Sequence, residues 1–388
     1  TQYPQGSLQD DCRFGLARAL EKQDKTGEAE RLYLALAGKP SSRLASDSQL
    51  RLGAVQYASG KFSEAAESFA AFEANWKQSP QIGMARLVHG WALMKLGRSK
   101  DAATLFKQVA ADSKLGTDAC YWLGLAQKAQ KDWTAAAKTL LEAAGQAPEH
   151  RLSTAIRFHA GDALLHAGDY PAARQQFDAV LQSPSGLGEW GADAMLGICQ
   201  AALRQKDHET IDRQSAEFMR RFSASPLRAD VKRIQARSLI ERKQYQKAAD
   251  LLGPLVAGKE PGAEAAEERY LLGLAYEGLK RYDQALAAIG PVLNSANAPF
   301  KTDAQLAQAL VFVATKRYAE AIPPLESFLA ASVGPDAQSS ADLMVKARGN
   351  LAICLARTKE LDKAKKLYAG LIEKYPQHEL IVPMTEQL

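Results

Sequence analysis

A ten-residue phrase recurs along this chain of 388 residues and limits what the chain can fold into. It reads GKFSEAAESF from Gly60, GDYPAARQQF from Gly168, KQYQKAADLL from Lys243 and KRYDQALAAI from Lys280. Each copy places an aromatic residue shortly before an alanine. Repetition with a period of a few tens of residues is typical of arrays in which every unit packs only on its neighbours. We therefore expect one repeat array over residues 1–388 rather than several separate globular cores.

The alanine of this phrase is paired with a small residue twelve positions earlier in the sequence, which we call the anchor. Eight pairs share this spacing, from Gly53 with Ala65 to Ala352 with Ala364. Two further repeats are looser, because Gly15 lies fourteen residues before Ala29 and no alanine follows Gly197 at this spacing. The ten predicted anchors are Gly15, Gly53, Gly90, Gly124, Gly161, Gly197, Ala236, Gly273, Ala309 and Ala352. Their mean period of about 37 residues fits two helices and two turns.

Helical periodicity supports a pair of helices in every repeat. LRLGAVQYA (Leu50 to Ala58) carries apolar residues at the i, i+3, i+4 and i+7 positions of one helix face. Small residues on both helices allow their backbones to approach closely, and the aromatic residue after the turn fills the space between repeats. The sequence predicts an all-α solenoid of about ten antiparallel helix pairs. We also expect Trp133, Tyr170, Tyr245 and Tyr282 to occupy equivalent positions.

Three predicted second helices depart from the pattern. Pro254 and Pro291 each follow a glycine, so we expect those helices to end or bend near Gly253 and Gly290. The segment from His208 to Phe222 lacks the packing alanine, and we expect this helix to be displaced from the regular path.

The small anchor, the turn, the aromatic residue and the second alanine together resemble the tetratricopeptide repeat family over nearly the whole chain. The resemblance implies a right-handed superhelix that binds a protein or peptide and has no chemistry of its own. The joints YPQGS (from Tyr3) and KYPQHE (from Lys374) are similar to those of bacterial cell-envelope members, including outer-membrane assembly lipoproteins and Tol-Pal-associated periplasmic proteins. YPQGS and the closing HELIVPMTEQL also indicate that the array continues beyond both ends of the sequence.

Sequence motifs for catalysis and cofactor binding are missing. The chain contains no GxxxxGK[ST], HExxH, CxxC or GxSxG. GLGEWGA (Gly186 to Ala192) matches GxGxxG, but no strand precedes it, so we interpret it as a loop. His159 and His166 share a predicted helix face with Asp162, yet a metal site needs further ligands. We predict no enzyme activity, no cofactor and no metal.

The compartment stays open. No run of apolar residues is long enough to span a membrane. The four cysteines lie in separate repeats and are expected to be buried free thiols, which favours a reducing compartment such as the cytoplasm. The resemblance to envelope proteins favours the periplasm or cell envelope instead.

Exposed groove positions follow from the family's register, at three before and one, four and five after the anchor. The predicted groove residues are Tyr57, Leu87, Trp91, Met94, Lys95, Tyr121, Lys128, Phe158 and Asp162. Aromatic, methionine and lysine side chains suit an extended or helical peptide. The alternative is that half of them pack between helices. The clamp asparagine of members that bind chaperone tails is absent one position after the anchor.

A second candidate site is a basic segment, in which residues 204–247 carry twelve Lys or Arg against six Asp or Glu, although the net charge of the chain is only +5. The predicted basic patch consists of Arg220, Arg221, Arg228, Lys232, Arg233 and Arg237. Such a patch would attract an acidic protein partner, and the alternative is a solvated helix face. Nucleic-acid binding is disfavoured because the charge is confined to two repeats. The sequence thus predicts a protein-binding scaffold, with an accessory domain of a longer enzyme or envelope machine as the alternative.

Overall fold

The computed structural model describes residues 7–112, 114–183, 188–258, 265–295, 298–332 and 341–375. Within these ranges the regular structure is entirely α-helical, with twenty helices and no strand, and the predicted all-α class is confirmed. Four parts of the quoted motifs lie outside the described residues: the first four residues of YPQGS, the last four of KYPQHE, all of HELIVPMTEQL, and Gly186 and Leu187 of GLGEWGA.

The chain forms two compact units, Thr1–Ala201 and Ala202–Leu388. The helices with most of their length in the N-terminal unit are α1 (Ser7–Lys22), α2 (Thr26–Ala37), α3 (Ala45–Ala58), α4 (Phe62–Asn75), α5 (Ile82–Lys95), α6 (Ser99–Val109), α7 (Gly116–Ala129), α8 (Trp133–Gln146), α9 (Ser153–Ala167), α10 (Tyr170–Gln182) and α11 (Gly191–Arg204). The helices of the C-terminal unit are α12 (His208–Arg221), α13 (Arg228–Glu241), α14 (Tyr245–Val256), α15 (Ala266–Gly278), α16 (Tyr282–Asn294), α17 (Lys301–Ala314), α18 (Tyr318–Ala331), α19 (Ala341–Arg357) and α20 (Leu361–Lys374).

Odd-numbered helices are the first helices of the repeats and even-numbered helices are the second. Within each unit a first helix packs on the second helix of its own repeat and on that of the preceding repeat, as α3 does with α4 and α2. Successive first helices also touch, so that α3 contacts α5 and α15 contacts α17. The first helices therefore share one face in each unit.

In every repeat except the sixth, a large side chain sixteen residues after the anchor holds the pair of helices together. An added Cβ would lie 2.8 Å from the Phe69 ring at Gly53 and 2.4 Å from the Phe106 ring at Gly90, closer than any relaxed contact. Leu252 fills the corresponding place opposite Ala236 in the seventh repeat, and its side chain is fully buried. The anchor is small because the facing residue is large.

The structure corrects the anchors of the first and sixth repeats. Ala17 is fully buried in the core formed with Ala29 and Tyr33, whereas Gly15 is exposed. Cys199, also fully buried, stands twelve residues before Ile211 and replaces Gly197 as the anchor. The anchor position accepts alanine or cysteine as well as glycine, so a glycine nearby in the sequence is not always the anchor.

The sixth repeat, which lacks the packing alanine, has a large side chain at the usual alanine position and a small one at the position four residues later. Ile211 stands where nine repeats have alanine, and Ser215 stands where they have a bulky side chain. Both are buried, and the Ser215 hydroxyl has no hydrogen-bond partner. The bulk lost at one position is thus supplied one helical turn earlier.

The turn inside each repeat is the most regular element of the fold. Two residues before every second helix, the backbone takes a positive φ in the left-handed region. The residues at this position are Asp24, Gly60, Gly97, Lys131, Gly168, Lys206, Lys243, Lys280, Lys316 and Lys359. Trp133, Tyr170, Tyr245 and Tyr282 each begin a second helix, which confirms their predicted equivalence.

Of the two outcomes predicted near Gly253 and Gly290, an end or a bend of the helix, the structure shows that neither helix ends at its glycine. Helix α14 continues through Pro254 to Val256, and α16 continues through Pro291 to Asn294. Each proline removes one backbone hydrogen bond near the end of its helix, where few bonds follow. Val292, directly after Pro291, is almost fully buried, so core packing extends the helix beyond the proline.

All four cysteines are free, but they are not all buried. Cys199 and Cys354 lie in the core, Cys120 is half-buried and Cys12 is exposed on α1. Burial raises the pKa of the Cys354 thiol to about 11. Cys12 escapes burial because no helix covers its side of α1 in the described residues.

Candidate functional site

The first-helix face of the N-terminal unit contains an open cavity of about 480 Å³. Its walls come from α1, α3 and α5, with one ring from α4 at the floor. The lining residues are Phe14, Arg18, Asp47, Leu50, Arg51, Ala54, Phe69, Gln81, Met84 and Val88. The cavity is mostly apolar, as small binding sites for side chains generally are.

Charged groups stand at the rim of this cavity. Arg51 Nη1 lies 3.4 Å from Glu21 Oε1, a long and partly exposed ion pair. Arg18 and Asp47 line the same cavity from α1 and α3, so both signs of charge are available. An apolar floor with polar groups at the rim can bind an apolar side chain and orient the backbone that carries it.

A row of aromatic rings crosses the neighbouring repeats from α3 to the start of α11. The centroid distances are 6.5 Å for Tyr57 and Trp91, 5.5 Å for Trp91 and Trp122, and 5.8 Å for Tyr121 and His159. At its end Phe158 stacks on Trp190 at 4.7 Å. Tilted and stacked ring contacts of this kind fix the relative positions of adjacent helices.

His159 and Lys128 form the polar centre of the aromatic row. Lys128 Nζ donates to His159 Nδ1 at 2.9 Å and pairs with Asp162 at 2.7 Å. Burial, with Lys128 beside the ring, lowers the pKa of His159 to about 4, so the imidazole is neutral at physiological pH. His166 stacks on Trp133 instead, at 4.4 Å. In the described part of the chain, no three His, Cys, Asp or Glu side chains gather to hold a metal.

Most predicted groove residues lie between helices rather than on an open surface. Leu87 and Tyr121 are buried, at 2% and 9% exposure, and only Lys95 is exposed. The half-buried residues are Tyr57, Trp91, Met94, Lys128, Phe158 and Asp162. Leu87 is covered because it shares one apolar cluster with the large rings of Trp91 and Trp122.

The buried edge of Trp91 is unusual, because its indole Nε1 has no hydrogen-bond partner. A buried donor without an acceptor costs free energy, so this ring is held by its apolar contacts. The aromatic row is therefore an internal wall that supports the first-helix face.

The cavity residues Phe14, Arg18, Asp47, Met84 and Val88 were missed by sequence reasoning. Phe14 and Arg18 lie three before and one after the true anchor, Ala17, and both are groove positions in the predicted register. Counting from Gly15 displaced them by two residues. Asp47 and Met84 lie six residues before their anchors, a position that the predicted register omitted.

The predicted basic patch is largely neutralised by its own neighbours in the C-terminal unit. Arg233 pairs with Glu268 at 2.8 Å and with Glu267 at 3.3 Å, and Arg237 pairs with Glu267 at 2.8 Å. Glu268 is only 1% exposed, so its pair with Arg233 is structural.

The remaining members of the predicted patch are more exposed but still partly paired. Arg220 and Arg221 both bond the Glu217 carboxylate, which holds the pKa of that carboxyl at about 2. Arg228 is exposed and Lys232 is half-buried. The local excess of positive charge does not form a free basic surface, because the acidic partners of Arg233 and Arg237 come from the next repeat.

None of the described helices is both long and apolar enough to cross a bilayer. A family model described as "Tetratricopeptide repeat" matches residues 14–80, 87–151, 149–187, 160–210, 270–337 and 306–379. The chain therefore belongs to the tetratricopeptide repeat family, as the sequence predicted. Repeats of this family generally mediate protein–protein interaction.

Solved structures with a similar fold include three repeat proteins. A tetratricopeptide repeat protein from Parabacteroides merdae ATCC 43184 is 14% identical over 69% of this chain and 98% of its own, with a TM-score of 0.46. A chain of the APC/C hetero-tetramer Cut9-Hcn1 is 16% identical over 82% of this chain and 59% of its own, with a TM-score of 0.46. The C-terminal part of a TPR repeat-containing protein from Cytophaga hutchinsonii is 17% identical over 75% of this chain and 98% of its own, with a TM-score of 0.45. No curated protein sequence matches the chain significantly.

Proposed function

We propose that this protein is a non-catalytic scaffold that binds a segment of a partner protein on the first-helix face of its N-terminal unit. The observation that carries the proposal is the cavity between α1, α3 and α5, where an apolar floor meets Arg18, Arg51 and Asp47 at the rim. The family's general role in protein–protein interaction supports it.

The cavity fits a large apolar side chain of a bound peptide. Phe14, Leu50 and Val88 provide walls from three different repeats, so one bound residue would contact three first helices at once. Side chains that fill such pockets supply most of the binding free energy at protein interfaces.

The aromatic row adds rigidity to this face. Tyr57 lies on α3 and Trp91 on α5, two of the helices that line the cavity. Because their rings are already packed, little side-chain freedom remains to be lost when a partner binds.

A photo-reactive residue at Val88 should crosslink the partner, whereas the same residue at exposed Ala74 on the second helix α4 should not. Ala54→Trp would then fill the cavity and weaken binding of the crosslinked partner by about tenfold or more, or 1.4 kcal/mol. Ala74→Trp is the matched control. Equal affinity of the two variants and the unchanged protein would refute the proposal.

An acidic partner at the basic segment is the weaker proposal, because Arg233 and Arg237 are already paired with Glu267 and Glu268. A role as the accessory domain of a longer enzyme, or in a bacterial cell envelope, rests on sequence resemblance and joint motifs alone. The acidic-partner proposal would be supported if the protein bound a carboxylate-rich protein and if Arg228→Glu and Lys232→Glu abolished that binding.

A further inference from the structure

In the C-terminal unit, every turn inside a repeat has a lysine at the same point. Each of these lysines is exposed and occupies the left-handed position two residues before the second helix. They are Lys206, Lys243, Lys280, Lys316 and Lys359. A residue with a side chain adopts a positive φ only at a steric cost that glycine avoids. The N-terminal unit has Gly60, Gly97 and Gly168 at this position, so the turn itself does not require lysine.

The dipole of the first helix does not account for the lysines either. Each lysine follows the C-terminal end of a first helix, where a positive charge is favourable. The first helices of the N-terminal unit have the same dipole, yet α3, α5 and α9 are each followed by the glycine of their turn. The lysines of the C-terminal unit therefore supply charge that the helix ends do not need.

Four of these lysines form one edge of the C-terminal unit, which we call the lysine row: Lys243, Lys280, Lys316 and Lys359. They follow the first helices α13, α15, α17 and α19, and each of these helices contacts the next one. Helices in contact lie about 8–10 Å apart, and the four lysines hold the same position relative to their helices. Successive lysines of the row are therefore about 10 Å apart.

The ammonium groups of the lysine row are free. Within the described residues, none of the four forms an ion pair or a side-chain hydrogen bond. Carboxylates on two of the same turns bond other side chains instead, Glu320 with Arg317 at 2.7 Å and Glu360 with Lys363 at 2.6 Å. From two residues before each lysine to four after it, the four turns contain ten Lys or Arg against five Asp or Glu. The five matching turns of the N-terminal unit contain seven against six, so the excess of positive charge is specific to the lysine row.

The aromatic rings beside the lysine row are already packed within the fold. An added Cβ on Gly278 would lie 2.6 Å from the ring of Tyr245, which begins α14 in the preceding repeat. Tyr318, at the start of α18, packs against a core cluster. Proteins that bind single-stranded nucleic acids combine a basic surface with aromatic rings on which bases can stack. The lysine row offers the charge without such rings, which favours carboxylates over nucleotides as its ligands.

We propose that the lysine row binds an extended acidic segment of a partner protein. An extended chain advances about 3.3 Å per residue, so a carboxylate at every third residue would meet one lysine of each repeat. A single exposed ion pair contributes little, so the affinity would come from the number of pairs formed at once. The lysine row and the cavity of the proposed function lie in different units, so either can fail without the other.

The test uses the full chain and two synthetic peptides of equal composition, EGSEGSEGSEGS with spaced glutamates and EEEEGSGSGSGS with clustered ones. Acetylation of lysines, followed by mass spectrometry, reports the coverage of each lysine separately, and exposed Lys77 and Lys107 of the N-terminal unit are the internal references. We expect saturating spaced peptide to slow acetylation of the lysine row about threefold or more at low salt, without slowing that of the references. The spaced peptide should also bind about threefold or more tightly than the clustered one.

Glycine substitutions test the lysines without harming the turn, because glycine is the residue best suited to a positive φ. The triple variant Lys243→Gly, Lys280→Gly and Lys316→Gly should bind the spaced peptide about tenfold or more weakly and melt at or above the Tm of the unchanged protein. Lys280→Gly alone should weaken binding about twofold or more. Lys131→Gly is the matched control, because it loses the same charge at the same backbone position between repeats that have Gly97 and Gly168.

Unchanged affinity of the triple variant, or equal losses from Lys280→Gly and Lys131→Gly, would overturn the lysine row as a binding site. Equal slowing of acetylation at the row and at the reference lysines would do the same. Equal affinity of the spaced and clustered peptides would overturn the extended binding mode. Tighter binding of oligothymidylate, or of vesicles containing phosphatidylserine, that the triple variant loses would overturn an acidic protein segment as the partner.

Discussion

The substitution Gly90→Ala tests whether anchor size sets the spacing of a helix pair. The new methyl group would lie 2.4 Å from Phe106 Cε1, so the ring must move by roughly 1 Å to reach an ordinary contact distance. Overpacking of this kind costs about 1–3 kcal/mol. Alanine recovers about 1 kcal/mol of helix propensity. We expect a net destabilisation of about 0–2 kcal/mol, in place of the gain that a glycine-to-alanine change gives in an open helix position.

The seventh repeat shows how the cost can be offset, because Ala236 there faces Leu252 rather than a phenylalanine. Gly90→Ala combined with Phe106→Leu should therefore be more stable than the sum of the two single variants by about 1–2 kcal/mol. Gly15→Ala is the matched control. Its methyl group meets nothing, and it should stabilise α1 by about 0.5–1 kcal/mol.

Hydrogen exchange is the suitable assay, because repeat arrays open locally and a single unfolding midpoint averages over repeats. Amides of α5 and α6 should exchange faster in Gly90→Ala and recover in the double variant, while those of α20 stay unchanged. Stabilisation of α5 by Gly90→Ala, comparable to that of α1 by Gly15→Ala, would refute the size argument.

Three further predictions concern the other buried contacts. Ile211→Ala and Ser215→Leu should each destabilise α12, by about 2–4 and 1–2 kcal/mol. The double variant should lose less stability than the sum of the two single variants. Strictly additive losses, measured by hydrogen exchange, would contradict the idea that the two residues compensate for each other. Arg233→Ala should cost about 3–5 kcal/mol by leaving the Glu268 carboxylate buried and unpaired. Adding Glu268→Leu should restore most of this stability, measured by hydrogen exchange of the α13 and α15 amides. Because the folded-state pKa of His159 is about 4, below its ordinary 6.5, the unfolded chain binds the proton first as pH falls. Stability should decrease by up to about 3 kcal/mol between pH 6.5 and 4, and His159→Gln should flatten this slope.

The helix pairs could be predicted from sequence because their spacing is set within a short stretch of chain. An anchor and its alanine are separated by one helix end and one turn, so the number of residues between them is fixed by local geometry. That is why Trp133 and Tyr282 were placed correctly. The two misplaced anchors occurred where Ala17 and Cys199 replace glycine.

The exposure of the candidate site residues could not be predicted, because it depends on contacts with residues of the neighbouring repeat. Arg233 was expected to be free, but its partner Glu268 lies 35 residues later, in the next repeat. Leu87 was expected in a groove, but it is buried in an apolar cluster against which Trp122 of the following repeat also packs. Exposure in such an array is decided by the neighbouring repeat, so counting charges or apolar residues in one window misjudges it.

The turn inside each repeat has a constant length, whereas the connection between successive repeats varies in length, and this difference determines where residues can be inserted or removed. Every turn inside a repeat has a residue with positive φ at the same position. The backbone N–H groups of the turn donate to the preceding helix, as those of Gly60 and Lys61 do to the carbonyl oxygens of Tyr57 and Gln56. The distance to the next anchor is not constant, running from 22 residues between Ala102 and Gly124 to 31 between Ala321 and Ala352. Insertions and deletions accumulated over evolution should therefore collect at the joints, and a tag or protease site added there should leave the helix pairs intact.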